Sequence, residues 1–525
     1  MSDQLLQNGR IAELLKQGSN NVHAVSATKH AGIGSSKFPR NGSKRHFLAG
    51  SADRLTQDWP STTISSDEAL YRDLEKIRGR SRWLADNNGY YSKFIQMCRS
   101  NILGPKGVRL EAKVLTANGT PDKAANAAVE SAWKEWGRKG NCVFRSQLSK
   151  TSLERVIVNT VPRDGEIFLR KWFGKGPNGF MVEVIDPMRV PVALNRKLGD
   201  DAEIINGIEY LDGEVVAYWI GNRGMRYSYS GEQYTRVEAK FIEHLFVPLW
   251  AEQKRGFPWM TSSIRRMHML DRYEEAETIQ ARIAAEKGGF FKKPESEQGD
   301  YTGEGADDDS GEVEYMDSEA GVYGSLPPGW DFVQFDPNHP VNAFEAFHSK
   351  LLKGIAAGGG VNYTSLANDL SDVNYSSARI GMLEVRDFWR ELQQWLIESL
   401  HESLYPDWLS MSLSTQALRL PVSMYDQLLR VSWRPRTWSW IDPQKEAAAA
   451  EKYLKMRITT LSELAAERGQ DIEDVFDQLQ KELQMAKDKG IDLSEYFGND
   501  NSDDAVRQLI RKALNGHAKM VDNDY

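Results

Sequence analysis

Gly174-Lys175-Gly176-Pro177-Asn178-Gly179 carries glycines at the G-x-G-x-x-G spacing with which a backbone can cradle a pyrophosphate. That chemistry needs a helix to follow, its amino end facing the phosphates. Here FLRKWF precedes and FMVEVI follows, both strand-like, so the spacing predicts a hairpin loop. Asp307-Asp308-Asp309, with Glu304, Glu312 and Glu314 nearby, offers hard oxygen ligands for Ca²⁺ or Mg²⁺. It lacks the ligand spacing and closing bidentate Glu of a calcium loop, and a solvated acidic loop is expected instead. His339 and His348 match no zinc spacing, and Cys98 and Cys142 fall in no metal or redox pairing. No G-x-x-x-x-G-K-[ST], H-E-x-x-H or G-x-S-x-G occurs, which removes P-loop motors and two hydrolase classes. No catalytic residue, metal site or cofactor is expected.

The polar concentration that remains is Asn362 to Arg379, with Ser371, Asp372, Asn374, Tyr375, Ser376 and Ser377 as hydrogen-bonding groups. A structureless connection of that length is uncommon inside a compact domain and often functional. Two helices must position it. The first ends at Gly358, Gly359 and Gly360, where φ > 0 costs little, giving a hinge. The second runs from Met382, with Val385, Phe388, Trp389, Leu392, Trp395, Leu396 and Leu400 at three- and four-residue steps.

At 525 residues the chain should hold two to four structural units. Fifteen tryptophans suit core layers and subunit contacts. Eleven of the 74 acidic residues lie between Glu295 and Ala320 without one Lys or Arg, so the rest is within three charges of neutral. A protein binding DNA through counterion release would show clustered Lys and Arg, which here occur only in the amino-terminal stretch. No apolar run of membrane-spanning length and no signal-peptide pattern is read, so a chain of the reducing cytoplasm with no membrane partner is expected.

Residues 1–60 read as a mobile basic tail. Helical spacing begins near Ser66 or Asp67 as a cap and stops at Gly104-Pro105; another helix covers Asp122 to Arg138. A strand-rich block follows to Pro248, with EIFLRKWF, GFMVEVIDP, RVPVAL, INGIEYLDG, EVVAYWI and KFIEHLFVP as strands. A helix after Trp259, striped by Ile264, Met267, Ala276, Ile279 and Ile283, and one from Asn342 bracket an acidic excursion with a strand at Gly329 to Asp336. Pro443 and Thr460-Leu461-Ser462-Glu463 open late helices.

This order resembles the portal proteins of lambda-like tailed bacteriophages, ring subunits through which a genome enters and leaves the capsid. Several stretches carry the resemblance. They are Arg80-Ser81-Arg82-Trp83-Leu84-Ala85-Asp86-Asn87-Asn88; His244, Phe246, Pro248, Gln253, Arg255, Gly256, Pro258 and Trp259; Leu326-Pro327-Pro328-Gly329; Phe335-Asp336-Pro337; and Ser371 through Arg379. It implies an α+β portal fold that closes into a ring, usually of twelve copies. The parts would be the tail (1–60), wing (61–260), first stem helix (261–287), clip with acidic loop (288–340), second stem helix (341–360), tunnel loop (361–380), wing return (381–442) and helical crown with carboxyl tail (443–525). The tunnel loop would face DNA through Asn362, Ser371, Asp372, Asn374, Tyr375, Ser376 and Arg379. Implied partners are further copies, double-stranded viral DNA, the terminase large subunit, a major capsid or scaffold protein and a head-completion adaptor. The implied place is the virion's portal vertex, after a stage in the host cytoplasm. The alternatives are a head-tail adaptor or other capsid-associated protein, and less readily a packaging nuclease or ATPase.

Overall fold

The computed structural model describes residues 63–116, 118–222, 234–286, 289–292, 331–334, 343–371, 375–438, 443–468 and 472–490. The chain divides into two units, Met1–Thr63 and Ile64–Tyr525, and the elements below all belong to the second.

Helix α1 (Ser66–Asn87) starts one residue from expectation: Ser65 is the cap, its hydroxyl accepting from Glu68 N at 3.2 Å. Asn88 is extended and ends α1. Its side chain then accepts from Tyr91 N and caps α2 (Gly89–Cys98). One polar residue thus turns one helix into two. A π-helical turn (Arg99–Leu103) leads to Gly104 at φ 67° and on to strand β1 (Arg109–Ala112). Helix α3 (Lys123–Trp136) is capped by Asp122 as its sequence suggests. Helix α4 (Lys150–Asp164) falls within no expected element, although Ser149 caps it and Leu153, Ile157, Val158 and Val161 make a buried stripe.

Strands β2 (Glu166–Phe173) and β3 (Phe180–Ile185) form the hairpin expected around the glycine run, with Gly174 N donating to Gly179 O at 2.7 Å. The G-x-G-x-x-G spacing is therefore a turn between antiparallel strands. RVPVAL is not a strand: Pro187–Arg189 is a 3₁₀ turn, and Pro191 withholds the N–H a ladder would use. Strands β4 (Arg196–Lys197), β5 (Ala202–Ile205), β6 (Ile208–Leu211), β7 (Glu214–Gly221) and β8 (Tyr234–Glu238) make an antiparallel five-stranded sheet in that order. Asn206-Gly207 and Asp212-Gly213, all at positive φ, close its two tight hairpins. Strand β9 (Ile242–Phe246) pairs with β2, giving a three-stranded sheet ordered β3-β2-β9.

Helix α5 (Thr261–Glu286) and helix α6 (Ala343–Gly358) run antiparallel, since Ser263 Oγ reaches Ile355 O while Tyr273 stacks near Phe344. Beyond α5, β10 (Gly289–Lys292) pairs antiparallel with β11 (Asp331–Gln334). The acidic excursion between them, with Glu304, Asp307-Asp308-Asp309, Glu312 and Glu314, lies outside the described residues, as does His339. Ile264, Met267 and Leu270 are buried, but Ile279 is half exposed. The expected stripe loses its core partner where α5 leaves the body of the protein. Short α7 (Tyr363–Ala367) precedes α8 (Tyr375–Leu396), which starts seven residues earlier than the apolar period indicates. A π-helical stretch (Ile397–Glu402) joins α8 to α9 (Ser403–Ser414).

After α10 (Tyr425–Leu428), strand β12 (Val431–Arg434) pairs with β1, bringing together residues more than 300 apart in the chain. Helix α11 (Pro443–Lys455) begins at the expected proline. Helix α12 (Leu461–Glu467) carries a complete Thr460/Glu463 capping box, and α13 (Ile472–Asp488) follows. The main core is aromatic: Trp133 sits 4.6 Å from Trp136, 4.9 Å from Trp408 and 5.7 Å from Trp433 between ring centres. Trp389, Leu392, Leu396 and Leu400 bury the inner face of α8 and its extension, each such side chain contributing about 1.5–3 kcal/mol. Among the described residues no helix is long and apolar enough to cross a membrane.

Candidate functional site

The polar segment after α6 is built more tightly than a long connection. Gly358 is the last helical residue and Gly359 follows in a turn. A Cβ on Gly358 would strike Ser263 Oγ, and one on Gly359 would strike Met260 Sδ. Of the three glycines only Gly360 uses positive φ, at 66°. Two of them therefore serve close packing of α6 on the start of α5, not backbone freedom. Asn362 opens α7 and its Nδ2 donates to Gly381 O at 2.9 Å, tying the segment to α8. Asn368 ends α7 in the left-handed region. Asp369 then gathers the chain: Ser371 N and Oγ donate to Oδ1 at 3.0 and 2.6 Å, and Tyr363 OH donates to Oδ2 at 2.9 Å. Those hydrogen bonds, led by the Ser371 hydroxyl, hold its carboxyl below the ordinary range.

Ser371 and Leu370 are exposed at the tip. Asp372 and Asn374 lie outside the described residues. Tyr375, Ser376 and Arg379 belong to the first turns of α8, so their backbone is helical, not loop. The structure thus brings Asn362 and Ser371 onto one compact turn with Asp369. Asp369 is absent from the sequence-based candidates, although its position two residues before a Ser marks an Asx-type turn.

The α5–α6 pair is fastened to α2 at its base. Tyr90 OH lies 3.1 Å from Glu274 Oε1 and 3.3 Å from His348 Nε2, and His348 lies 2.5 Å from the same carboxylate. His348 thus bonds across the helix pair. Burial, with Glu274 beside it, pushes the Tyr90 phenol up to about 12. Asn88 Nδ2 adds a hydrogen bond to Asp271 on α5 at 3.2 Å. Among the described residues no three His, Cys, Asp or Glu side chains are grouped to hold a metal.

Beneath this lies a buried charge cluster where two separated motifs meet. Glu166, fully buried, accepts from Arg255 Nε at 2.9 and 3.0 Å, Arg255 Nη2 at 2.6 Å, Arg78 Nη2 at 2.9 Å and Gly256 N at 2.9 Å. His244 Nε2 lies 2.9 Å from Glu166 Oε2. An ionised carboxylate only accepts, so that nitrogen carries the proton. Arg82 grips Asp164 with two bonds of 2.9 and 2.7 Å and reaches Asp186 at 2.9 Å, while Ser81 bonds Tyr91 OH and Arg163 O. Gln253 holds the approach to Arg255, accepting from Leu249 N and Trp250 N and donating to Arg255 O. Trp259 N donates to Pro162 O, and Trp395 Nε1 donates to Phe246 O. These contacts join α1, α4, β2, β9, the segment before α5, and α8. Ser81, Arg82, His244 and Arg255 belong to the sequence stretches that carry the family resemblance, whereas Glu166 and Asp164, which bracket the conformationally demanding Gly165, belong to none of them.

Burial alone would raise Glu166, but Arg255 and Arg78 hold it well below its ordinary 4.5. Burial pushes His244 and His401 below their ordinary 6.5 despite the neighbouring Glu166 and Glu154, respectively. The unfolded chain therefore takes up His protons below about pH 6.5 that the native state excludes, and carboxylate protons below about 4.5. Stability is expected to fall as pH drops from 6.5, and more steeply below 4.5. Denaturant midpoints measured across pH 8 to 4 check this; a flat profile would contradict the buried-charge geometry.

Residues 52–393 match the family described as phage portal protein, lambda family. The chain is 31% identical to a probable portal protein of Halomonas phage phiHAP-1, over 85% of this chain and 88% of that protein. It is 23% identical to the portal protein of Escherichia phage N15, over 82% and 88%, and 22% identical to portal protein B of Escherichia phage lambda, over 83% and 88%.

Proposed function

The chain belongs to the lambda family of phage portal proteins, and from that premise we propose that its copies close into a ring, usually of twelve, at one capsid vertex. It is a structural virion protein, not an enzyme. In this reading the ring is the conduit for double-stranded DNA in packaging and ejection. The observation that carries it is the antiparallel α5–α6 pair, with the β10–β11 ribbon at one end and the compact polar turn at the other. The helices would be the stem, the ribbon part of the clip, the sheets the wing and α11–α13 part of the crown. Ring contacts of this kind are heterologous and must close by rotation.

Residues 361–380 would project into the bore, with Asn362, Ser371, Asp372, Asn374, Tyr375, Ser376 and Arg379 along the DNA and Gly360 as the pivot. DNA carries one charge per about 1.7 Å of axis, so a strongly cationic bore would hold it by many ionic contacts. A turn of hydroxyls and amides bonded to Asp369 lets the duplex slide. The terminase large subunit would dock at the clip during packaging and a head-completion adaptor afterwards, with the capsid or scaffold protein at the wing. The protein would be made in the host cytoplasm before assembly.

Electron microscopy of the purified chain tests the ring: annular particles with a central hole are expected, and compact monomers at all concentrations would refute it. Ser371→Lys tests the bore. Rings should form normally while DNA packaged per particle falls severalfold, because each added cation traps phosphate. Unchanged packaging by such rings would refute the placement of this turn.

A further inference from the structure

A cleft of about 180 Å³ opens between the β2–β3 hairpin and strands β7 and β8, lined by three guanidinium groups, those of Arg145, Arg170 and Arg189. Two of them are pre-positioned by aromatic rings. Arg145 lies 5.0 Å from the centre of Phe144, Phe144 packs tilted by 33° against Trp172 at 4.6 Å, and Arg170 sits 4.3 Å over Trp172. The four side chains form one run of contacts, cation to ring, ring to ring and ring to cation. Arg189 is fixed separately, its Nε donating to Gly221 O at 2.9 Å.

Arg145 takes φ 57°, a left-handed conformation that a non-glycine residue adopts at a cost. The neighbouring backbone enforces it, because Phe144 N donates to Val182 O at 2.8 Å and Val143 bridges Val182. The chain spends conformational energy to hold this side chain beside the rings. Among the described residues lining the cleft the single carboxylate is Glu183, which is buried and accepts from Trp172 Nε1 at 3.0 Å. It fixes the indole plane. Its described lining residues carry three cations against one acid, in a body otherwise near neutral.

We infer that this cleft takes the carboxylate of an Asp or Glu side chain presented by a partner protein. Ile185, Ile220 and Val237 give it an apolar wall for the methylene stem, and guanidinium forks match the planar oxygens. A nucleic-acid backbone fits less well: the volume is below that of pockets that bury drug-sized ligands, about 300 Å³ and upward, and a phosphate track needs cations in rows.

The test is fluorescence anisotropy of labelled hexaglutamate with the full-length protein at low salt, against a hexaglutamine control. Arg145→Asn, which keeps a residue tolerant of the left-handed region, and Arg170→Gln should each weaken hexaglutamate binding about tenfold. Trp172→Leu, which keeps the charges but removes the platform, should weaken it severalfold. Thermal midpoints confirm folding, and Arg145→Asn, at an exposed position, carries the test if either other variant fails to fold. Unchanged affinity in Arg145→Asn would overturn the assignment by placing the peptide elsewhere. So would a short DNA duplex that binds more tightly than hexaglutamate and loses affinity in the same variants.

Discussion

Glu166→Gln is expected to destabilise the protein by about 3–5 kcal/mol, the cost of breaking a buried pair from one side. Arg78 and Arg255 are fully buried and both bond this carboxylate, so the amide leaves two guanidinium charges without their counter-ion. Gln can still accept, but it also places a donor NH₂ among donors: Arg255, Arg78, Gly256 N and His244. Thermal and urea unfolding at matched protomer concentration measure the loss. The exposed pair Arg390–Asp387 is the control, and Asp387→Asn should cost less than about 1 kcal/mol. If Glu166→Gln unfolds within that range, the cluster does not hold α1 to the sheet.

Gly165→Ala should cost about as much, for a steric reason. Gly165 has φ 93°, and a Cβ there would overlap the backbone of Phe257; a Cβ on Gly256 would overlap the Gly165 carbonyl. The left-handed penalty is about 1–2 kcal/mol, and displacing a packed backbone adds about 1–3 kcal/mol. Gly213→Ala separates the two terms. Gly213 has φ 82° but nothing within 4 Å of its Cβ position, so only the first penalty applies. Equal losses at both sites would show that the approach of α4 to the segment before α5 is not tight. A large loss at Gly165 alone would also explain why the chain enters β2 directly from Gly165: no side chain fits where strand, helix end and the Gly256 turn cross.

These two variants mark where sequence reading stopped. The glycine run between β2 and β3, the helix openings at Asp122, Pro443 and Thr460, and the apolar face of α8 were legible, because each depends on residues within a few positions of one another. Helix α4 has an equally regular buried spacing, but it runs directly into the strand-rich block that begins at β2 and falls in no expected element. Asn362 and Ser371 were legible as polar residues between two helices, but Asp369, which organises them, was not. Its role comes from Tyr363 and Ser371 converging on it after α7 forms.

By itself the sequence determined the α+β class, most of the helices and strands in their order, though not α4 and with one strand too many at RVPVAL, and, through motifs kept in that order, membership of the portal family. Local propensity, capping and turn chemistry act over a handful of residues, and that information survives in one dimension. Only the tertiary structure decided that Arg78, Glu166 and Arg255 are interior, that Gly358 and Gly359 are packing contacts, and that Arg145, Arg170 and Arg189 share one cleft. Whether a charge is solvated or buried depends on partners roughly 80–90 residues away, and no local pattern records which distant residue will neutralise it.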